Sequence, residues 1–344
     1  MEGRIMAEVE HGATRLRGVI VDAYNAELRS PEGYFGDRAS GRAFRAMLDW
    51  WRERLGEGDP LGATPTEAIG RRQLDRLLAE GDPEAAGLVH GVVEEFAQNL
   101  AEVLGRLLDL PEWRGTERVA IGGGMAGSRV GALAAGRAAV LLKGNGREVA
   151  LPPICHDPDE AGLIGALWLL PEAMLAAEAV LAVDLGGTSL RVGAVRPHLA
   201  RAPDLSEAAV WQAESWKHAT EKPDREALVV RLGEMLRDLA ARAERRGLGL
   251  APAIAIGCPG RIAPDGSIRQ GAQNLPEGWE DPDFNLPAAV RAAVPEVAGA
   301  PPLVVLHNDA VVQGLSEVPR MREVRHWGVL TIGTGLGNAR FTNV

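Results

Sequence analysis

The chain has 344 residues, about twice the size of a typical domain, so one large domain or two mid-sized domains are expected. Hydrophobic residues make up 46% and charged residues 24%, a balance that excludes general disorder. The formal net charge of −10 disfavours nucleic acids and anionic membranes as partners, because the summed field repels both.

Cys155 and Cys258 are the only cysteines of the chain, too few for a disulfide framework. Their scarcity is expected of a protein in the reducing cytoplasm. The charged first residues do not have the pattern of a secretion signal, and Pro171, Glu172 and Glu178 interrupt the most apolar stretch. We therefore expect a cytoplasmic protein without a membrane partner.

The first part of the chain has helical periodicity. Residues 66–109 repeat leucine, valine and phenylalanine at a spacing near the helical period, which predicts helices. The apolar run 119–121 then ends in Gly122, Gly123 and Gly124. This pattern predicts a buried strand, a glycine turn and a further helix, an order that is common at phosphate and nucleotide sites.

Residues 155–170 allow two interpretations. Asp157, Pro158 and Glu160 form the cap, first-turn proline and first-turn glutamate of a helix that would run through Leu170. The same segment contains possible metal ligands: Cys155, His156, Asp157 and Asp159. Helix capping already accounts for the acidic residues, so the helix is favoured over the metal cluster.

Two later segments have the pattern of a strand, a glycine turn and a second strand. The first turn, residues 184–189, reads Asp-Leu-Gly-Gly-Thr-Ser, and the second, residues 333–338, reads Gly-Thr-Gly-Leu-Gly-Asn. An ungapped alignment matches Asp184 with Gly333, Gly186 with Gly335, and Arg191 with Arg340. This match predicts two related halves.

The region between the two hairpins alternates helix and strand patterns. A helix is expected over residues 227–239, and strands are expected over 254–256 and 303–306. Alternation of this kind predicts an α/β fold.

Several common motifs are absent. A P-loop needs lysine followed by serine or threonine, whereas Lys143, Lys217 and Lys222 are followed by glycine, histidine and proline. The dinucleotide fingerprint fails after Gly333, because strand-like residues stand where a helix should begin. That failure disfavours nicotinamide chemistry. Neither Gly-x-Ser-x-Gly nor His-Glu-x-x-His occurs, so simple hydrolysis is also disfavoured.

The remaining features together favour phosphoryl transfer. Glycines have no Cβ and let backbone N–H groups approach phosphate oxygens. Asp184, beside the first glycine turn, is suited to hold Mg²⁺. Asp309 follows a predicted strand and could accept the proton of an attacking hydroxyl. Taken singly, such a turn is an ordinary turn and such an aspartate an ordinary helix cap, so the interpretation depends on the combination.

This combination resembles the ROK family of sugar kinases, within the superfamily of hexokinase, actin and Hsp70. Five segments resemble family motifs in family order: residues 182–188 the first phosphate motif, 257–260 the Pro-Gly turn beside the sugar, 273–279 the sugar loop, 308–310 the catalytic segment, and 333–337 the second phosphate motif. Two further segments precede them: residues 119–124, similar to the adenosine-side motif, and 159–166, similar to the last family helix.

The resemblance implies a two-domain ribonuclease H-like (actin-like ATPase) α/β fold with a cleft between the domains. The order of the motifs implies a circularly permuted chain, in which family order is restored by reading on from Val344 to Met1. The chain then divides into a larger domain, residues 1–157 with 307–344, and a smaller domain, residues 158–306. Met1 and Val344 are expected to lie side by side.

The resemblance also implies roles for individual residues. Asp309 is the expected general base. The expected sugar-binding residues are Asn308, Asn274, Gly260, Pro259, Glu8 and His11. The expected nucleotide and phosphate contacts are Asp184, Gly186, Gly187, Thr188, Gly333, Thr334, Gly335, Gly337, Gly123 and Gly124. ATP and Mg²⁺ are the expected cofactors, a small sugar is the expected substrate, and a homodimer is the expected assembly.

The chain departs from the family pattern in two places. Residues 12–38 contain no cysteine where the family has its zinc loop, so no structural zinc is expected and His11 is left for the sugar. Gly36, followed by Asp37, stands where the family has a glutamate, which removes one expected sugar contact.

The sequence therefore predicts a glucokinase-like enzyme that phosphorylates a hexose hydroxyl with ATP. One alternative is a sugar-sensing regulator of the same family with weak catalysis, although the acidic first segment does not indicate the helix-turn-helix of such regulators. Another alternative is a glucokinase that uses polyphosphate as its phosphoryl donor.

Overall fold

The computed structural model describes residues 10–30, 33–272 and 274–344, which form an α/β structure. The chain falls into two compact units. Unit 1 contains the described residues up to Asn25 together with Cys155–Arg325 and Ala339–Val344, and unit 2 contains Ala26–Ile154 and His326–Asn338. The predicted division at 157/158 and 306/307 followed the order of the motifs and stays a prediction, whereas packing groups residues 155–325 together.

The strands are β1 (Arg15–Leu16), β2 (Val19–Tyr24), β3 (Arg29–Ser30), β4 (Gly33–Tyr34), β5 (Arg118–Gly122), β6 (Ala179–Leu185), β7 (Leu190–Arg196), β8 (Ala209–Trp216), β9 (Leu250–Cys258), β10 (Leu303–Asn308), β11 (His326–Ile332) and β12 (Leu336–Asn343). The α-helices are α1 (Gly41–Leu55), α2 (Arg71–Glu80), α3 (Pro83–Asp109), α4 (Arg129–Gly144), α5 (Ala161–Gly165), α6 (Glu172–Leu175), α7 (His218–Glu221), α8 (Arg225–Arg245), α9 (Leu286–Ala293) and α10 (Asp309–Leu315). The strands and helices predicted from the sequence are present, with one difference in bounds described below.

Unit 1 is built on a five-stranded mixed sheet with the order β10-β9-β6-β7-β8. β6, β9 and β10 are parallel, and β7 and β8 extend the sheet in antiparallel fashion. All of β6 is buried, as expected of a central strand covered on both faces. Leu181, Val183 and Leu185 pack with α8 and α9 in one core cluster. Asp184 points to the other face, because alternate residues of a strand face opposite sides.

Glycines allow α5 to pack closely on that second face. A Cβ placed at Gly162 would lie 2.8 Å from Cγ of Asp184. A Cβ placed at Gly165 would lie 1.7 Å from the carbonyl oxygen of Val312 in α10. Larger residues could not occupy either position without moving the backbone, so these two glycines set how α5 lies against Asp184 and α10.

The helix predicted to run from Pro158 to Leu170 is wrong in its bounds. α5 begins at Ala161, and a 3-10 turn over Ala166–Leu169 follows it. The Asp157 side chain accepts a hydrogen bond from the Asp159 N–H at 2.8 Å. This local bond helps to fold residues 157–160 as a turn. The first helical residue is therefore Ala161, later in the chain than the capping pattern predicted.

Residues 339–344 are hydrogen-bonded to residues 18–24 within unit 1. β12 pairs antiparallel with β2, with Ala339 opposite Tyr24 and Asn343 opposite Val19. The Val344 N–H donates to the Gly18 carbonyl at 3.2 Å. β1 pairs antiparallel with the other edge of β2.

Unit 2 contains the parallel pair β5 and β11 and the long helix α3. Asp82 caps α3 by accepting from the Glu84 and Ala85 N–H groups, and Pro83 occupies the first turn, as these residue types predict. The buried face of α3 packs with residues of α1, α4 and β5 in one core cluster. Within the described part of the chain, no helix combines the length and apolar character needed to cross a bilayer.

Candidate active site

Two aspartates lie at the carboxyl edge of the parallel strands of unit 1. Asp184 of β6 lies opposite Gly257 of β9. Asn308 ends β10 opposite Cys258, so Asp309 follows the same edge by one residue. β9 alone separates the two strands, which puts their backbones about 10 Å apart. Ligand sites of open α/β sheets form at this edge.

The two carboxyl groups influence each other. Burial raises the pKa of Asp309 to about 7, and the negative charge of Asp184 contributes to that rise. Burial also raises the pKa of Asp184 above its ordinary value, although Arg191 opposes the rise. Neighbouring carboxyl groups with raised pKa values are typical of acid–base sites and of cation sites.

Arg191 holds Asp184 from the adjacent strand. The two residues lie opposite each other on β6 and β7, and Nη1 of Arg191 is 3.3 Å from Oδ2 of Asp184. Nη2 of the same guanidinium is 2.5 Å from Oδ1 of Asp159. Asp159, considered above as a possible metal ligand, is therefore the surface partner of an ion-pair network that orients Asp184.

Asn308 is fully buried and its amide is used within the protein. Oδ1 accepts from the Ala310 and Val311 N–H groups at 3.0 and 3.2 Å, which caps α10. Nδ2 donates to the Gly260 carbonyl at 3.0 Å. Asn308 thus ties the start of α10, where Asp309 lies, to the Pro-Gly turn. A direct sugar contact by Asn308 stays a prediction, and it would use the second hydrogen of Nδ2.

His307 supports the same edge from the interior. Its Nδ1 accepts from the Asn308 N–H at 2.7 Å, and its Nε2 lies 3.1 Å from the Ala13 carbonyl, so the ring proton is assigned to Nε2. Burial lowers the pKa of His307 to about 4, which keeps the ring neutral at physiological pH. The Tyr24 ring packs edge-on against it with centroids 5.3 Å apart. The sequence analysis did not single out His307, although its position beside Asn308 was a usable signal.

The Pro-Gly turn has a backbone that requires glycine. Pro259 and Gly260 are both buried, and Gly260 has a φ of +108°. A Cβ there would lie 2.6 Å from Cγ2 of Ile268, so only glycine fits. Residues 261–270 then fold back on themselves, with the Arg261 N–H donating to the Gln270 carbonyl at 2.7 Å.

His11 lies against this folded-back loop. Its Nδ1 accepts from the Leu306 N–H at 3.1 Å, two residues before Asn308. A Cβ at Gly266 would lie 3.2 Å from Nε2 of His11. Burial lowers the pKa of His11, with a further lowering by Arg291, so the neutral ring presents Nε2–H as its second polar group.

The first glycine turn is held by a residue that the sequence analysis missed. The Gly186 carbonyl lies 2.8 Å from Nε2 of His218, a buried residue of α7. Ala219 lies in the same helix as His218, and its N–H donates to the Thr188 carbonyl at 3.2 Å. A lone histidine some thirty residues beyond a hairpin gives no sequence signal of this contact, because the contact depends on tertiary packing.

The first glycine turn also contacts the predicted sugar loop. A Cβ at Gly187 would lie 2.6 Å from Cβ of Asn274. The structure therefore brings together one residue predicted to bind phosphate and one predicted to bind sugar. Glu8 and Gln273, which belong to the predicted sugar segments, lie outside the described residues.

In unit 2, the remaining predicted residues lie where β5 and β11 end. Gly123 follows β5 with a φ of +77°, and a Cβ there would lie 2.6 Å from the backbone of Ile332. The turn after β11 contains Gly333, Thr334 and Gly335, with the Gly333 N–H donating to the Gly335 carbonyl at 3.0 Å. Gly337, by contrast, lies within β12 rather than in the turn.

The start of α1 meets this second glycine turn. The Gly41 N–H donates to the Gly333 carbonyl at 2.8 Å, and a Cβ at Gly41 would lie 2.7 Å from that oxygen. Ser40 caps α1 by accepting from the Ala43 N–H at 3.1 Å. A helix start of this kind has a partial positive charge that favours phosphate.

Arg71, after His307 and His218, is a third residue that was not predicted from the sequence. It is the first residue of α2, and its Nη1 would lie 2.4 Å from a Cβ placed at Gly124. Its side chain is exposed and has no hydrogen-bond or ion-pair partner among the described residues. A guanidinium without a partner, resting on a glycine turn, is well suited to an anionic ligand.

The residues present fit both expected cofactors. Asp184 and Asp309 are two carboxyl groups that repel each other, and a cation such as Mg²⁺ would relieve that repulsion. Gly123 and Gly41 have no Cβ and therefore let their turns lie closely against the backbone of Ile332 and Gly333, beside a helix start and Arg71. That combination is suited to the phosphates of a nucleotide.

Comparisons with known proteins give partial matches only. No protein-family model matches the chain, and no curated protein sequence matches it. Among solved structures, a candidate N-acetylmannosamine kinase from Listeria monocytogenes is 27% identical, with 48% of this chain and 47% of that chain covered and a TM-score of 0.35.

Two further solved structures are similar to this chain. A candidate sugar kinase from Cytophaga hutchinsonii is 20% identical, with 48% of each chain covered and a TM-score of 0.35. A ROK hexokinase from Thermus thermophilus is 27% identical, with 46% of this chain and 45% of that chain covered and a TM-score of 0.29. The chain thus spans about half the length of the sugar-kinase structures it matches.

Proposed function

We propose that the protein is a sugar kinase that transfers the γ-phosphoryl group of ATP to a hexose hydroxyl. The observation that supports this most strongly is the pair of interacting carboxyl groups, Asp184 and Asp309, at the carboxyl edge of β6 and β10. Phosphoryl transfer needs one group that accepts the proton of the hydroxyl and another that holds the metal of the nucleotide. The two aspartates can supply these roles separately.

Asp309 is the proposed general base. Its pKa of about 7 lets it exist as a carboxylate at neutral pH and still bind a proton when the hydroxyl attacks. Its position at the first residue of α10 is fixed by the Asn308 cap and by the His307 hydrogen bond below it. Asp184, oriented by Arg191, is the proposed Mg²⁺ ligand, and the ion would neutralise phosphate charge.

Hydroxyl groups of the sugar would be bound by the polar residues around Asp309. The proposed ligands are Asn308, Asn274, Glu8 and His11, with Pro259 and Gly260 shaping the wall. His11 would donate through Nε2, because its Nδ1 is already occupied by the Leu306 N–H. Fixed donors and acceptors of this kind discriminate between sugars that differ at one hydroxyl.

The glycine turns are the proposed phosphate and nucleotide contacts. Gly186, Gly187 and Thr188 would offer backbone groups to phosphate oxygens in unit 1. In unit 2, Gly333, Thr334, Gly335 and Gly337 would do the same, with Gly123 and Gly124 beside the adenosine. Arg71 joins this set, since it rests on Gly124 and has no hydrogen-bond or ion-pair partner in the described part of the chain.

A circular permutation relative to the ROK family is part of the same proposal, as are the homodimer and the domain division at 157/158 and 306/307. The antiparallel pairing of β12 with β2 supports the permutation, because it joins the two segments that family order would make consecutive. Met1 lies outside the described residues, so its expected nearness to Val344 stays a prediction.

The Asp309→Asn variant tests the proposed base. We expect turnover of ATP and a hexose, assayed over a panel of sugars, to fall by about 100- to 10,000-fold, the usual contribution of a general base. Sugar binding measured by calorimetry should persist, since asparagine keeps the Oδ1 that accepts from Ala310. In the unaltered protein, kcat/KM should rise as pH increases through about 7, where Asp309 loses its proton.

The same variant should be more stable at alkaline pH. The folded-state pKa of Asp309 lies above the ordinary value near 4, so the folded protein binds more protons between about pH 4 and 7 and loses stability as pH rises through that range. Asp309→Asn removes this loss and should raise the Tm at pH 8. Asp238→Asn, on the exposed face of α8, is the control and should change neither quantity. Undiminished turnover in Asp309→Asn would refute the assignment.

A further inference from the structure

Cys155, His156 and Glu317 form a cluster in unit 1 that the proposed reaction does not use. One ligand atom from each residue lies within 4.8 Å of the other two. Cys155 and His156 are partly buried, and Glu317 is only 2% exposed. The thiol, imidazole and carboxylate of these residues are the ligand types that zinc prefers.

Glu317 is a buried carboxylate without an ion-pair partner among the described residues. Its Oε1 accepts from the Cys155 N–H at 2.8 Å. No ion pair within 4.0 Å joins it to any lysine, arginine or histidine among the described residues. Buried carboxylates are normally paired with a cation or bound to a metal, because an isolated charge is costly in a low-dielectric interior.

The histidine has the surroundings of a metal ligand. His156 is partly buried, and one of its ring nitrogens lies within 4.8 Å of the Cys155 sulfur and of a Glu317 carboxylate oxygen. Burial lowers the pKa of His156, so the ring is neutral, as metal binding requires. The charged groups that face the cluster are Arg320, which is exposed to solvent, and Glu160.

We propose that Cys155, His156 and Glu317 bind one zinc ion, with water as the fourth ligand. Tetrahedral zinc places such ligand atoms about 3.5 Å apart, so the cluster needs to close by about an ångström. A thiolate and a carboxylate balance the charge of Zn²⁺. Binding of the ion would displace the proton of the Cys155 thiol, which would be released to solvent.

This ligand set differs from the one considered in the sequence. Asp157 and Asp159 are not part of it, because Asp157 forms a local turn and Asp159 pairs with Arg191. Glu317 replaces them from 162 positions away in the chain. The ion would join the segment that leads into α5 to the segment that follows α10, the two helices that pack through Gly165 and Val312.

Calorimetric titration of the whole protein with Zn²⁺ tests the site without any activity assay. We expect one ion per chain, with release of about one proton from the thiol as judged from buffers of different ionisation enthalpy. Cobalt(II) in place of zinc should give a thiolate-to-metal charge-transfer absorption, which Cys155→Ser should abolish. Cys155→Ser and Glu317→Gln should each weaken zinc binding beyond the roughly 10- to 100-fold loss typical of removing an outer-shell partner.

Asp157→Asn is the matched control, since it keeps the Oδ1 that accepts from Asp159 and should leave zinc affinity unchanged. Circular dichroism of each metal-free variant separates loss of a ligand from loss of the fold. Absence of saturable binding in the folded protein would overturn the proposal. A cobalt spectrum unaffected by Cys155→Ser, or an equal loss in Asp157→Asn, would also overturn it. None of these outcomes depends on kinase activity, so the site and the proposed function can fail separately.

Discussion

At the scale of single residues, burial from water sets the pKa values of Asp309 and His307 and so decides which of them can accept a proton. Asp309 lies one residue beyond a strand, and burial together with Asp184 brings its pKa to about 7. His307, two residues earlier, is held neutral by burial, although its hydrogen bond to the Ala13 carbonyl raises its pKa. Asp309, the proposed proton acceptor, thus lies near His307, whose ring does not compete for the proton at neutral pH.

Arg71 gives a residue-scale prediction about the nucleotide. We expect Arg71→Ala to raise the KM for ATP by about tenfold or more, because a charged hydrogen bond contributes about 1.5 kcal/mol and tenfold corresponds to about 1.4 kcal/mol. The kcat should change little if Arg71 binds the ground state and the transition state equally. Steady-state kinetics at saturating sugar measure both constants.

Arg72→Ala is the control for this prediction. Arg72 is also exposed and lies in the same first turn of α2, but the three atoms nearest to a Cβ placed at Gly124 all belong to Arg71. Equal changes in the KM for ATP in the two variants would show that general charge, and not the position of Arg71, affects nucleotide binding.

At the scale of elements, the short helix α5 fixes the geometry of the aspartate pair. Gly162 lies against Asp184, and Gly165 lies against the backbone of α10, which begins at Asp309. Both contacts exist because the glycines leave no side chain in the way. The segment resembles the last helix of the ROK family, and its glycines have a packing role that does not depend on any ligand.

Gly165→Ala should therefore destabilise the protein. The added Cβ would lie 1.7 Å from the Val312 carbonyl oxygen, so the helices must separate, at a cost of about 1–3 kcal/mol for overpacking. Urea unfolding should show a lower midpoint. Gly136→Ala, at an exposed position of α4 with open space around it, should leave stability unchanged or raise it by about 0.5–1 kcal/mol through helix propensity. Equal midpoints for the two variants would contradict this packing role.

At the scale of the whole molecule, the order of the motifs and the pairing of the strands bear on the proposed permutation. Family order would place residues 1–166, which end with the segment similar to the last family helix, after residue 344. The pairing of β12 with β2 brings together the two segments that family order would make consecutive, so a chain in family order could keep this contact.

A rearranged chain tests this proposal. A gene that encodes residues 177–344, a short glycine-serine linker and residues 1–176 opens the chain in an exposed turn between α6 and β6. We expect this protein to fold with a Tm within a few degrees of the original and to keep any kinase activity, since exposed turns tolerate new ends. Chain opening within β9, between Ala255 and Ile256, is the control that should prevent folding. Failure of the first rearrangement to fold would argue against the permutation.

Much of the local structure could be predicted from the sequence. The helix α3 is preceded by Asp82 and Pro83, and its apolar residues repeat with the helical period, so nearest neighbours specify its start and its buried face. The hairpin of β6 and β7 was indicated in the same way by two apolar runs around Gly186 and Gly187. The start of α5 was misplaced because the side chain of Asp157 bonds within its own turn.

By itself, the sequence determined the α/β class, the glycine turns and the positions of Asp184 and Asp309 at the ends of strands. Each of these features depends on residues that are close together in the chain. Only the tertiary structure decided which partners those residues meet. Arg71 approaches Gly124, and Glu317 lies against Cys155 from 162 positions away. The pKa of Asp309 likewise depends on burial and on Asp184, which belongs to another strand. Burial and long-range contacts arise from packing, and periodicity or local spacing cannot encode them.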